Sequence, residues 1–331
     1  MVTSAAKLEL SAALTANERT RAILDGALAP EGIRLVTSEL HPSEIFWRQL
    51  AFRDFDVSEM SLSSLLIAVA RGDRTWVALP VFTSRSFYHT AILVRRDAGI
   101  EQPADLRGKR VGVPEYQQTA AVWSRGFLQH EHGVAPREIS WFMERPPERS
   151  HGGATGFRAP AGVSITSIPL ESSIGGMLLD GSLDATLLYL RSPNLVDRSR
   201  ADVESSPLIR PLFDRSTESA RSFARTGIFP INHGVVVRRS LLERHSWIAL
   251  NLYEAFLAAK EHAMTRAAAA LEPYASIGAV PGGLPSSDPL PYGMIANRHV
   301  LETLAQYVHE QGLTDRLVGL DELFAASTLG V

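Results

Sequence analysis

Cysteine is absent from the 331 residues, which removes disulfides, thiolate metal sites and a cysteine nucleophile from consideration. Charge of one sign is also lacking: the formal net charge is −3 with 21% charged residues, so a polyanion such as nucleic acid is not an expected partner. Long apolar runs are missing. The most apolar stretch, Trp247 to Ala270, is broken by Asn251, Glu254, Lys260, Glu261, His262 and Arg266 and does not read as a membrane span. A secretory leader is not legible either, because only Lys7 precedes the short run Leu10 to Ala16, and Glu9, Ser11 and Thr15 interrupt it. These absences lead to the expectation of a cytoplasmic globular protein. No repeat of fixed period and no HExxH spacing is present, and the x-separated pair His130 and His132 falls at the polar end of a predicted helix, which turns the two rings to different faces.

What is present is a 45% hydrophobic chain long enough for two lobes with separate cores. Strand patterns at 8–14, 33–40, 56–61 and 76–82 alternate with helical ones opening at Asn17, at Pro42 and at Leu62, which predicts a parallel-rich α/β sheet. The carboxyl ends of such strands are where open sheets bind ligands, and three of them carry polar residues: before Arg19, at Glu59 to Ser61, and at Pro80 to Arg85. A strand is predicted over Tyr88 to Arg95 and a hinge in the polar connector Asp97 to Lys109. A second lobe follows, with strands at 139–143, 183–189 and 229–238, the last returning to the first lobe. The Gly/Pro/Arg-rich stretch from Arg145 to Gly162 reads as a loop too poor in apolar residues to pack. Helices at 241–270, 297–311 and 320–329 finish the chain. The predicted lobes are 1–96 with 234–331, and 97–233, with a ligand cleft between them.

The chain is organised around Arg110 to Trp123, which reads as strand, turn and helix start. Pro114 ends the ladder and Thr119 is expected as the N-cap of the helix. Unpaired N–H groups there, after Glu115, Tyr116 and Gln117, form either an ordinary βα turn or a dock for a small anion.

The residues Ser58 to Ser61, Pro114 to Gln117 and Pro291 to Gly293, with Asp105 to Lys109 before a strand and Asp288 to Arg298 near the end, together resemble the 4,5-dihydroxyphthalate decarboxylase family along nearly the whole chain. The lobe plan is similar to type II periplasmic solute-binding proteins. Two departures stand out: Asn17 and Glu18 precede Arg19 where the family tends to have Tyr-Asp, and the stretch Arg145 to Gly162 is unlike the family.

The resemblance implies an α/β, two-lobed clamp with a two-strand hinge. It also implies decarboxylation of a hydroxylated aromatic dicarboxylate, 4,5-dihydroxyphthalate to 3,4-dihydroxybenzoate, without a cofactor. A divalent cation on His and Glu side chains of the cleft is the alternative to a cofactor-free site, and a non-catalytic carboxylate-binding protein of the same fold is the alternative to an enzyme. Such a reaction needs an acid for the ring carbon, a polariser for the phenol, and donors for the carboxylates. His89 and His233, expected on the two crossover strands, are the acid candidates, with Glu59 to orient a histidine. Arg19 and Arg85 are the candidate carboxylate forks. Ser61, Ser84, Glu115, Tyr116, Gln117, Thr119 and Asn232 complete the expected substrate contacts. The partner is then a small aromatic carboxylate, with no nucleic acid and no membrane, and self-association into a homo-oligomer is left open.

Overall fold

A computed structural model of the chain describes residues 6–280 and 288–331; the remaining positions of the predicted lobe bounds lie outside the described residues. The first lobe begins β1 (Leu8–Leu14), α1 (Arg21–Leu24), β2 (Ile33–Glu39), α2 (Pro42–Phe52), β3 (Val57–Ser61), α3 (Leu62–Ala70) and β4 (Trp76–Arg85). The second contains β5 (Leu93–Arg95), β6 (Arg110–Val113), α4 (Thr119–His132), β7 (Ser140–Met143), α5 (His151–Thr155), β8 (Ser164–Ser167), α6 (Ile174–Asp180), β9 (Ala185–Thr186), β10 (Ile209–Pro211) and α7 (Arg215–Thr226). The chain then returns through β11 (Ile231–Arg238) into α8 (Arg239–Arg244), α9 (Ile248–Ser276), α10 (Arg298–Glu310) and α11 (Leu320–Leu323).

Two sheets result. The first has the order β2-β1-β3-β11-β4 and the second β10-β5-β9-β6-β7-β8. In the first, β1, β2 and β3 run parallel, and β11 is antiparallel to both β3 and β4. Every residue of β3 is buried, as expected for a central strand covered on both faces. The strand nevertheless contains Ser58, Glu59 and Ser61, and burying an ionisable Glu59 there demands partners. Among the described residues no helix is long and apolar enough to cross a membrane.

The lobe bounds shift from those expected. β11 lies wholly in the first sheet and β5 wholly in the second, so the chain crosses between lobes at residues 86–92 and, after α7, at 227–230 rather than at 96/97 and 233/234. The connector Asp97 to Lys109, expected as the hinge, belongs to the second lobe. Tyr88 to Ala91 forms a 3-10 turn instead of the first half of a strand, because the hinge must turn the chain between two sheets. Beyond it, β4 and β11 still lie side by side, with Ser84 opposite His233 and Arg85 opposite Ile231.

Two local expectations also change. The N-cap of α4 is Gln118, not Thr119, and no side chain caps the helix from that position. The stretch Arg145 to Gly162 is not unpacked: Arg145 and His151 are 2% and 1% exposed, and α5 lies inside it. Its apolar residues are few, and it is held by polar bonds instead. In the C-terminal segment α10 packs against α3 and α4. The approach to α4 is so close that a Cβ on Gly126 would stand 2.1 Å from the Tyr307 ring, which only glycine permits.

Candidate active site

Three sequence decisions build the cavity between the lobes. His41-Pro42-Ser43 starts α2, with proline at the first turn and the His41 ring as cap, its Nδ1 accepting the Ser43 N–H at 3.3 Å. Pro114 ends β6, and the turn after it starts α4 with Gln118, Thr119 and Ala120. The Arg145 to Thr155 stretch then brings in Arg145 and His151. Together with Phe46, Ser61, Tyr88, Leu188, Leu190 and His233 these line one cavity. Two long helices from opposite lobes, α2 and α4, thus direct their N-termini at it, and their free N–H groups and dipoles favour an anion there.

His233 stands on β11 with its Nδ1 3.2 Å from Glu59 Oε2. Glu59 is completely buried yet well supplied with donors: the Thr15 N–H reaches Oε1 at 2.7 Å and the Thr83 hydroxyl reaches Oε2 at 2.8 Å. A carboxylate so bonded accepts, so the proton between the pair resides on His233 Nδ1, leaving Nε2 as the ring's free nitrogen. The Phe46 ring meets His233 edge-on at 4.7 Å and His151 at 5.6 Å, separating the two imidazoles.

The opposite wall centres on Arg145. Its Nε donates to Asp197 at 2.8 Å, one terminal nitrogen donates to the Ser43 hydroxyl of the other lobe at 2.7 Å, and the other lies 3.3 Å from His151 Nε2. Arginine has no acceptor, so His151 Nε2 must accept and its proton must sit on Nδ1, 3.1 Å from Ser64 Oγ. His151 is therefore neutral. Burial lowers its pKa well below the ordinary value, and the Arg145 charge lowers it further. Burial also lowers that of His41. For Asp197 burial pulls upward, but the Arg145 guanidinium holds it below the usual carboxylate range.

The expected residues divide into those that meet here and those that do not. Ser61, Thr119 and His233 line the cavity, and Glu59 backs His233. The Ser61 and Thr119 hydroxyls lie 2.8 Å apart, and Thr119 Oγ1 also accepts the Ser63 N–H at 3.0 Å, which ties the lobes together. Ser84 is opposite His233 in the ladder but does not line the cavity. Glu115 lies behind it, accepting the N–H groups of His151 and Gly152 at 3.1 and 3.3 Å. Gln117 bonds Ser64 and Thr155. Tyr116 is buried under the Arg125 guanidinium at 3.8 Å, and Asn232 is buried on the hinge strand. None of these four reaches the cavity.

Arg19 and Arg85 lie apart from this cavity. Arg19 donates to the Thr83 carbonyl, and Arg85 donates to the Phe229 and Pro291 carbonyls at 3.2 and 2.7 Å and to Asn297. Both bind backbone within the first lobe, and burial followed by the neighbouring Arg19 charge brings Arg85 down to about 10. Neither guanidinium lines the cavity that His233 opens on, and Arg85 instead lines a separate one with Phe229 and Pro291. His89 is likewise displaced. It stacks on Phe127 at 3.7 Å, with Nε2 3.4 Å from Glu218, and lines a different crevice. Among the described residues no group of three or more His, Asp and Glu has the arrangement of a metal site.

Tyr88, His41, Ser43, Arg145, His151 and Asp197 were not anticipated. The His-Pro-Ser helix start was legible, but nothing in it indicated a ligand. Arg145 and His151 sat in a stretch whose composition pointed away from packing.

The family model for an ABC transporter phosphonate periplasmic substrate-binding protein matches residues 42–154. The periplasmic aliphatic sulphonate-binding protein SsuA of Escherichia coli superimposes with a TM-score of 0.54 at 13% identity, over 97% of this chain and 92% of that one, so the fold is that of the two-lobed binding proteins. A 4,5-dihydroxyphthalate decarboxylase of Pseudomonas putida is 40% identical over 181 residues, 55% of this chain and 70% of that one. A 4,5-dihydroxyphthalate decarboxylase of Comamonas testosteroni is 35% identical over 330 residues, 98% of each chain. With that identity sustained from end to end, the chain belongs to the 4,5-dihydroxyphthalate decarboxylase family.

Proposed function

We propose that this chain is a carboxy-lyase that converts 4,5-dihydroxyphthalate to 3,4-dihydroxybenzoate and carbon dioxide. The observation that carries the reading is the Glu59–His233 pair opening on an inter-lobe cavity, in a chain that matches a decarboxylase along its whole length. The α2 and α4 N-termini and the Arg145 wall supply donors for the carboxylates. Protonated His233, held by Glu59, delivers its proton from Nε2 to the ring carbon bearing a carboxylate. The hydroxyl para to that carbon releases its proton and pushes electron density into the ring. The bond to the carboxyl carbon then breaks, its electron pair restores the aromatic ring, and carbon dioxide leaves. The para oxygen regains a proton and solvent reprotonates His233. The substrate's own two-fold symmetry makes the two carboxylates equivalent, so one proton donor serves either orientation.

No cofactor is required by these steps, and turnover is expected to survive exhaustive dialysis against a chelator; a loss restored by a divalent cation would favour the metal alternative. The decisive assay incubates the protein with 4,5-dihydroxyphthalate and follows carbon dioxide and 3,4-dihydroxybenzoate together. The sulphonate-binding protein of the same fold supports a second reading, a carboxylate-binding protein, and tight binding without product would establish it instead.

A further inference from the structure

Glu115 is a buried carboxylate for which the chemistry above finds no use. It does not line the cavity, yet it touches two parts of its wall. Its oxygens hold the His151 and Gly152 N–H groups at 3.1 and 3.3 Å, and Oε2 is 4.0 Å from Arg145 Nη1. The fit is close, because a Cβ on Gly152 would come within 3.3 Å of Glu115 Oε1.

The buried charges around it do not balance. Among the described residues lining the cavity, Arg145 is the only arginine or lysine, and it already faces Asp197 at 2.8 Å as well as Glu115. The neighbouring carboxylate of Glu144 pulls on the same guanidinium. His151 is barred from charging, since Arg145 donates to one of its nitrogens and the other faces Ser64. Across the cavity Glu59 is occupied with His233. A dicarboxylate docking on Arg145 adds negative charge to a site where carboxylates already exceed cations. Buried like charges of this kind are relieved by taking up a proton. Of the four buried carboxylates near the wall, Asp197 has the tight ion pair, Glu59 has three donors, and Glu144 accepts the Ile174, Arg198 and Ser199 N–H groups and the Ser199 hydroxyl. Glu115 has only the long Arg145 contact and two backbone N–H groups.

We propose that Glu115 is a positioning residue that takes up a proton when a carboxylate ligand docks on Arg145, freeing the guanidinium's charge for the ligand while still holding the His151 turn. Burial raises the Glu115 pKa to about 7 in the absence of ligand, against the opposing pull of Arg145, which puts the exchange within the working pH range. The inference rests on the reading that Arg145 receives a substrate carboxylate, and it can be tested without turnover.

Calorimetry of phthalate binding to the wild-type protein, near neutral pH in buffers of different ionisation enthalpy, should show uptake of about half a proton to one proton per site. In kinetics, KM for 4,5-dihydroxyphthalate should rise about tenfold between pH 6 and pH 8 through this group. In Glu115→Gln, which keeps an acceptor for the turn but cannot titrate, both effects should shrink by that share. Carbon-13 NMR of wild-type protein labelled at glutamate carboxyls provides a check that needs no variant. One carboxyl should titrate near neutrality when free and stay protonated with phthalate bound. Absence of proton uptake, absence of phthalate binding, or equal uptake in Glu115→Gln would each overturn the proposal. Turnover of 4,5-dihydroxyphthalate persisting through any of these results would leave the decarboxylase reading intact.

Discussion

His89 and His233 sit at the same hinge, each beside a glutamate, and the surroundings give them opposite uses. His233 lies 3.2 Å from a Glu59 that is itself saturated with donors, and it lines the inter-lobe cavity. His89 is stacked at 3.7 Å on Phe127, with Phe87 and Phe213 edge-on to it. Its Glu218 neighbour is shared with Arg221 at 2.7 Å. Burial, only partly offset by Glu218, brings His89 down to about 4. An imidazole packed among aromatic rings has lost hydration that a divided carboxylate does not replace. A glutamate neighbour thus does not by itself set a histidine's surroundings: how that glutamate is bonded and what packs on the ring decide whether the imidazole opens on the cavity or is sealed among aromatic rings.

The comparison can be broken by substitution. The largest effect is expected from His233→Ala, which should lower kcat by about 10² to 10⁴, the range for a lost general acid, with KM nearly unchanged. Wild-type turnover in this variant would remove His233 from the chemistry. Glu59→Gln should follow with a smaller fall in kcat, because the ring keeps a hydrogen-bond partner but loses the carboxylate that stabilises its charged form.

Arg145→Ala tests the other wall. Removing one member of a buried ion pair leaves Asp197 uncompensated, at a cost of about 3–5 kcal/mol, which denaturant unfolding would register. The milder Arg145→Lys should raise KM more than it lowers kcat, since lysine cannot reproduce the bonds to Asp197, Ser43 and His151 together. An unchanged KM would place the carboxylates elsewhere.

His89→Phe should leave kcat within about twofold of wild type, as a residue remote from the reacting atoms would. It should change acid stability instead. Because His89 has a lower pKa folded than unfolded, the unfolded chain binds the extra proton. Stability is unaffected above the ordinary histidine value and falls as pH drops from there toward about 4. Over that window the loss is on the order of 3 kcal/mol, and His89→Phe should flatten it in thermal melts measured across the acid range. The smallest effect on activity is expected from Arg85→Lys. KM should stay within about twofold, as the guanidinium serves the Phe229 and Pro291 carbonyls and not a ligand.

Much of the first lobe was legible because its signals are local. Apolar alternation marked β1 to β4, the Pro42 start marked α2, and the strand ends pointed to Glu59 and Ser61. The Pro114 turn was read as the start of α4, and that helix does direct its N-terminus into the cavity, though through Gln118 to Ala120 more than through Glu115 or Tyr116. Arg19 and Arg85 misled because position at a strand end does not say which way a long side chain turns, and carbonyls near the hinge were waiting as acceptors. Arg145 and His151 were hidden for the opposite reason. Their stretch is short of apolar residues, and composition cannot show that Asp197, Ser43 and Glu115, drawn from segments far apart in the chain, would hold it by hydrogen bonds.

By itself the sequence determined the two-lobed α/β plan and the family, and it narrowed the acid candidates to two histidines. These depend on periodicity, turn residues and motif identity, which are properties of short segments. Tertiary structure alone decided which histidine lines the inter-lobe cavity, where the lobes begin, and that the guanidinium lining that cavity is Arg145's and not that of Arg19 or Arg85. Those outcomes depend on how much water each charged group loses and which distant partners replace it, and no single segment of the chain carries that balance.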